Sequence, residues 1–504
     1  MFIRKNKNRS GSVSIQICEK VKRSNRVIKT VGVAHTTREE ELLMVLAKTQ
    51  IERMEGTLGL FVEHDDLVVE NFVNQLSSGD FRVVGAERIL GRIYQKIGYP
   101  EGGSCNYFKG LVLCRLVYPG SKLKTTQYFS RHLQLHVSVY TIYRFLDELS
   151  AQLKTRIEDL TFAHTASIIG EQIGVVFYDM TSLYFEASTE DDFRVSGFSK
   201  DGKHGHPQIL VGLLVTAQGY PVGYQLFEGN TAETKTLIPV LNAFQKRFSL
   251  HKPVVVADAA LLSQKNIDAL CQGGYTYILG GRLKNESDPV KQRVVQLGVE
   301  EAKPGELSHP NGRLIVTYSS KRASKDKTNR QKGLTRLEKK VASGKLTKEH
   351  INNRGYNKYL KVEGQAQISI DYQRFQADQV WDGLKGYITN TTLPADQIIS
   401  QYHQLWHIEK AFRISKTDLR IRPVYHRLKN RIEAHICICF AAYTVYKELE
   451  RLLQVNQIDI SVEKAIQEIK EIRQLQYSLP KSKTVKTKLL KPTAIQEKLL
   501  NLKF

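Results

Sequence analysis

Asp179 interrupts VVFYDMTSLYF (175–185), a run of β-branched and aromatic residues suited to a buried strand. Asp258 follows three valines and an alanine in PVVVADAALLS (253–263), a second run of that kind. A carboxylate in such surroundings is costly unless it is paired or holds a cation. Glu409 raises the same question on a helix. In IISQYHQLWHIEKAFRISK (398–416), Ile398, Ile399, Tyr402, Leu405, Trp406, Glu409, Phe412 and Lys416 recur at spacings of three and four. That spacing predicts one helix with Trp406 and Glu409 on its apolar, inward stripe. A core ion pair of Glu409 with Lys416 is the plainer alternative. Three carboxylates brought together suit Mg²⁺, which takes hard oxygen ligands from one or two carboxylates and from substrate phosphates. Two such ions, about 3.5–4 Å apart, activate an attacking oxygen and stabilise a leaving one in phosphoryl transfer.

The elements around the acids must bring them together. Strand patterns at 175–185, 208–216 and 220–230 are followed by a helical pattern at 233–248, the strand bearing Asp258, the helix NIDALCQGG and the strand YTYILGG. This order resembles the ribonuclease H-like fold, in which the first strand lies beside the fourth. Asp179 and Asp258 would then stand on adjacent strands. Upstream, 12–18 and 26–33 read as two strands joined by a polar turn. A helix starts after an N-cap at Thr36 or Thr37, with Glu39 and Glu40 in its first turn. Residues 84–165 are mostly helical in period. Within them, 125–149 is compatible with a helix-turn-helix whose second helix starts near Ser138, or with two packed helices that never meet DNA.

Composition narrows the partners. The 504 residues carry 74 Lys and Arg against 51 Asp and Glu, a net charge of +23, which points to a polyanion and to nucleic acid first. Residues 1–30 hold nine basic side chains to one acid, 321–360 thirteen to three, and 481–504 seven to one. One such run reads as a solvated face; three favour DNA. The polar, basic opening MFIRKNKNRSGSVSI argues against a signal peptide. The apolar stretch ICICFAAYTVY is shorter than the roughly 20 residues a membrane span needs. Six cysteines without a CxxC pair make no disulfide framework, and Cys437 and Cys439 read as buried thiols. His204 and His206 lack a partner at zinc spacing, and GGR at 280–282 fits no phosphate loop.

With the three acids in view, the chain resembles insertion-sequence DDE transposases of the group marked by the YREK signature. Here that signature reads Tyr402, Leu405, Glu409, Lys416, with leucine where the pattern has arginine; Arg413 and His403 are the nearby candidates for its phosphate contact. The resemblance also takes in DMT at 179–181, GNTAET at 229–234, VADAALLS around Asp258 and ITNTT at 388–392, and covers roughly 171–450.

The resemblance implies an α+β or α/β multidomain protein: a ribonuclease H-like mixed sheet flanked by helices, interrupted by an insertion domain and preceded by a mostly helical DNA-binding region. The expected divisions are a basic strand hairpin (1–35), a helical DNA-binding region (36–170) and the first part of the core (171–283). An insertion domain with the basic arm (284–380), the second part of the core with the Glu-bearing helix (381–450) and a basic C-terminal region (451–504) serving dimerisation would follow. Asp179, Asp258 and Glu409 would be catalytic and hold two Mg²⁺ ions, replaceable by Mn²⁺. Tyr402, Lys416, Arg413, Lys325, Lys327, Arg330 and Lys332 would contact DNA. The partners would be double-stranded DNA, as terminal inverted repeats and as target, and a second copy in a paired-end complex, in a bacterial cytoplasm at the nucleoid, with no membrane. Hydrolysis would free a 3′-OH at each end, which then attacks target DNA. A nuclease or resolvase that does not join strands, and an inactive transposase-derived DNA-binding protein, are the other readings.

Overall fold

The computed structural model describes residues 1–22, 24–55, 64–149, 151–170, 173–187, 189–199, 202, 205–248, 252–344, 346, 351–352, 355–363, 367–422, 424–478 and 484–504. They form two compact units, Met1–Asp80 and Phe81–Phe504.

In the first unit, β1 (Phe2–Lys7), β2 (Val13–Val21) and β3 (Ser24–Ala34) make an antiparallel sheet in that order. The hairpin of β2 and β3 was expected; β1 was not, because FIRKNK has no apolar alternation and stays largely exposed. Helix α1 (Thr37–Met54) starts with a capping box in which Thr36 and Glu39 bond each other's backbone N–H groups. Ala47 of α1 is buried with Ile15 and Ile17 of β2, and Leu43, Met44 and Ile51 pack beside them. The helix thus closes one face of the sheet.

The second unit is built on an eight-stranded sheet. Ahead of it lie α2 (Cys105–Val117), α3 (Lys122–Tyr128), α4 (Val139–Glu148) and α5 (Ala151–Ile169). Ser138 caps α4, its hydroxyl accepting from Thr141 N–H at 3.1 Å. The sheet begins with β4 (Val175–Tyr184), β5 (Gln208–Thr216) and β6 (Pro221–Glu228), continues after α6 (Leu237–Phe248) with β7 (Val254–Ala257), and after α7 (Gln264–Gln272) with β8 (Tyr277–Gly281). A hairpin of β9 (Gly305–His309) and β10 (Gly312–Tyr318), helix α8 (Ser320–Ala342) and strand β11 (Leu384–Thr389) follow. The order is β9-β10-β11-β8-β7-β4-β5-β6, parallel for β4–β7 and β7–β8 and antiparallel elsewhere. The expected insertion at 284–380 therefore gives two strands to the main sheet. The tight turn between them uses Gly312 at φ +105°, a conformation open to glycine.

Two hydrophobic layers sandwich the sheet. Val176, Tyr178, Val255 and Ala257 pack with Leu237, Leu241 and Phe244 of α6 and Ile267 and Leu270 of α7. Phe177, Val256 and Ile278 face the other way, onto α9 (Ala395–His403), α10 (Trp406–Thr417) and the buried α11 (Lys429–Val455). The single helix expected over 398–416 is thus two, broken at Gln404 and Leu405. The break changes the phase at the start of the second helix, although Phe412 further on stays buried. Trp406, expected in the core, is 50% exposed. Cys437 and Cys439 are buried and unbridged, as expected. Among the described residues, no helix is long and apolar enough to cross a membrane.

Candidate active site

Strand register sets the two aspartates. β4 and β7 run parallel, with Val175 opposite Val254 and Tyr178 opposite Ala257. Asp179 and Asp258 each come one residue later, at neighbouring positions of neighbouring strands. Side chains alternate along a strand. Phe177 and Val256, two residues before the acids, both face the α9–α11 layer, so the acids do too. Asp179 is half-buried and Asp258 exposed.

Asp258 is held at Oδ1 by two donors, the Ala259 backbone N–H at 2.7 Å and the Tyr402 hydroxyl at 3.1 Å. Tyr402 sits on α9, buried, with its ring edge-on to Tyr387. Burial, then the charge of Asp258, push its phenol above the ordinary range, so it stays a donor. It is buried and engaged with the acid. Gly280 on β8 makes this approach possible: a Cβ there would strike the Tyr402 hydroxyl and come within 2.9 Å of Ala259 N.

Glu409 stands in the first turn of α10 and is exposed, not on an inward stripe. What relates it to Asp258 is Lys385 on β11. The Lys385 ammonium lies 4.4 Å from the Tyr402 ring centroid and 5.3 Å from that of Tyr387. Burial and Arg322 lower its pKa, while Asp258 and Glu409 both pull it up, so one cation feels both carboxylates. Sequence reasoning missed Lys385. Its signal was the one that found Asp179: a lone charge inside an otherwise apolar strand, GLKGYIT.

The donor chemistry suits a hard divalent cation. The geometry meets that demand only in part: the two aspartates are neighbours, but among the described residues no three His, Cys, Asp or Glu side chains are grouped closely enough to hold an ion. Glu409 is not gathered to the pair.

The expected DNA contacts divide. Lys325, Lys327 and Lys332 are exposed on α8, and Arg413 is exposed on α10. Lys416 is half-buried and lines a small apolar cavity with Thr181, Leu183 and Phe412. Arg330 does not face solvent. It is buried, bonds Asp382 at 2.5 Å and the Phe375 carbonyl at 3.4 Å, and lies over the Phe375 ring, so it belongs to the packing of α8. A cleft of about 660 Å³ opens between α8 and the sheet, lined by Arg282, Lys284, Arg322, Lys358 and Lys385. His206 places Nδ1 3.2 Å from the Phe185 carbonyl, and His204 lies outside the described residues.

No curated protein matches the chain. Among solved structures it is similar to the piggyBac transposase synaptic complex with hairpin DNA, at 11% identity over 76% of each chain and a TM-score of 0.38. It is also similar to the Drosophila P element transposase strand transfer complex, at 11% identity over 80% of this chain and 90% of that one, with a TM-score of 0.22. For the Mos1 transposase paired-end complex with left transposon end, the figures are 13%, 35%, 59% and 0.16. TM-scores this low do not speak for a shared fold. The family described as the transposase DDE domain matches residues 170–445, a span that holds Asp179, Asp258 and Glu409. Since that match takes in more than half of the 504 residues, the chain belongs to the transposase DDE domain family.

Proposed function

We propose that this protein is a DNA transposase of an insertion sequence, of the YREK group, that cleaves the element's ends by metal-dependent phosphodiester hydrolysis and joins the freed 3′-OH to target DNA. The observation that carries this reading is the placement of Asp179, within β4, and Asp258, just past the end of β7, at neighbouring positions of two parallel strands, on the face covered by the Glu409 helix pair. The order β6-β5-β4-β7-β8, antiparallel then parallel, supports a ribonuclease H-like core. Asp179, Asp258 and Glu409 would hold divalent metal, Mg²⁺ or Mn²⁺, with Glu409 drawn in when DNA binds. Such a metal, once bound, supplies charge neutralisation and an activated attacking oxygen.

The rest falls to the chain itself. Tyr402 donates to Asp258 and fixes its carboxylate. Lys385 offsets the repulsion between the acids and then faces a phosphate oxygen of the bound strand. Hydrolysis displaces the 3′ oxygen of the scissile bond. In the second step that 3′-OH attacks a target phosphate in line and the target's own 3′ oxygen leaves. Residues 1–35 and 36–170 are assigned to reading the inverted repeats, and the basic region 451–504 to pairing two subunits on two ends.

The test uses Asp179→Asn, Asp258→Asn and Glu409→Gln, each expected to abolish cleavage of element ends in Mg²⁺ while end binding persists. A variant that still cuts near the wild-type rate removes its residue from the site. Cleavage without any joined product would instead identify a nuclease.

A further inference from the structure

Arg420 has φ +46°, a left-handed backbone that residues with a side chain rarely adopt. Such strain persists only where the surroundings over-determine it, and it gathers at functional sites. Here the surroundings are visible. Arg115 of α2, 7% exposed, donates to the carbonyls of Leu419 and Arg420 at 3.4 Å each. Its other nitrogen meets His435 Nδ1 at 3.4 Å. His435 of α11, 5% exposed, is 3.0 Å from the Ile421 carbonyl through Nε2. Burial and the nearby cations hold this imidazole neutral, so Nδ1 accepts from Arg115 and Nε2–H donates to the chain. Three successive carbonyls are thus gripped from inside the protein.

The far side of the loop is fixed too. Val424 N–H donates to the Tyr184 carbonyl at 3.2 Å, which ties the loop to the end of the strand that bears Asp179. Arg431 binds both oxygens of Asp147, at 2.6 Å each.

What this scaffold presents is cationic. From 419 to 432 the chain holds five Lys and Arg and no acid. Arg420, Arg427 and Lys429 are exposed, and Tyr425 between them is 74% exposed. We infer that this loop is a preorganised phosphate-contact surface that grips the backbone of duplex DNA at the far end of the strand that bears Asp179. The inference rests on the proposed function in taking DNA as the ligand. A backbone already fixed removes the loop-ordering part of the cost of binding, and guanidinium and ammonium groups on phosphates convey affinity without sequence.

The test is equilibrium binding of the full-length protein to a blunt duplex of arbitrary sequence, in chelator, across a salt series. Arg420→Gln, Arg427→Gln and Lys429→Gln are combined in one variant. A control variant combines Arg156→Gln, Lys246→Gln and Lys265→Gln, exposed residues elsewhere that remove the same charge. The loop variant should make the log–log salt dependence shallower by roughly 0.9 for each phosphate no longer neutralised, hence by about 2–3, with the control near wild type. A wild-type slope in the loop variant overturns the inference, and so does an equal change in the control, which would mean net charge alone is at work. Wild-type protein that binds no duplex at all would sink the DNA reading itself, a result distinct from either.

Discussion

The strand-borne acids and the helix-borne charges of this protein were placed by different physics. Asp179 and Asp258 follow directly from pairing: Tyr178 lies opposite Ala257, so the next residue on each strand must be a neighbour on the same face. A slip of one residue in either strand would turn its acid to the opposite layer and part the two. Helix-borne Glu409 and Arg330 had no such constraint. Glu409 turned outward because the helix breaks at Gln404 and Leu405. Arg330 turned inward because Asp382 and the Phe375 ring give its charge a buried partner. Pairing fixes a side chain to within one residue, whereas helical period fixes it only until the next break.

That contrast can be broken or sharpened experimentally. The largest expected effect is at Arg330. Arg330→Ala strands the mostly buried Asp382 carboxylate and should cost about 3–5 kcal/mol, read as a fall in Tm. An unchanged Tm would return Arg330 to the surface set. Next come two length changes at the acids. Asp258→Glu pushes a strand-fixed carboxylate out of place and should lower cleavage more than about 100-fold, beyond the 10–100-fold range of an outer partner. Glu409→Asp, on a helix that must move in any case, should cost about tenfold less; equal losses would put the two acids under one constraint.

Tyr402→Phe removes one of two donors to Asp258 Oδ1 and should slow cleavage about tenfold with folding intact. A rate equal to wild type would leave Ala259 N–H as a sufficient orienting group. The smallest effect on stability belongs to Lys325, Lys327 and Lys332. Changing all three to Gln should leave Tm within the range of surface substitutions, about 0.5 kcal/mol each. Duplex binding should still become less dependent on salt, the slope falling by roughly 0.9 for each phosphate these lysines neutralise. A marked drop in Tm would mean that these lysines, like Arg330, pack.

Much of the sheet was legible because apolar runs bounded by turn residues report strands well. QILVGLLVT occupies 208–216 as expected, and β4 differs from 175–185 by one residue. The hairpin of β9 and β10 was also within reach. Pro310-Asn311 between GELSH and GRLIVTY, followed at once by Gly312, is a turn signal between two strand patterns, masked by the expectation of a separate insertion domain there. The helix break was not legible. Neither glycine nor proline marks Gln404 and Leu405, and apolar residues on both sides hid the change of phase. Tyr402 was singled out for DNA, but its role beside Asp258 depends on Gly280, 122 positions upstream, which no local pattern connects to it.

The sheet's borders carry a last consequence. A strand at the end of a sheet shows unpaired N–H and C=O groups, and a long bare one invites another chain to add itself. Here one border is β9, only five residues long and carrying Glu306, whose carboxylate is occupied by Arg313 at 3.0 Å. The other is β6, where Thr165 of α5 donates to the Pro221 carbonyl at 2.9 Å and α5 lies along the strand. Neither border is a template for accretion. In this sheet, then, strand addition is closed at both edges, and side-chain surfaces are where another chain can meet it.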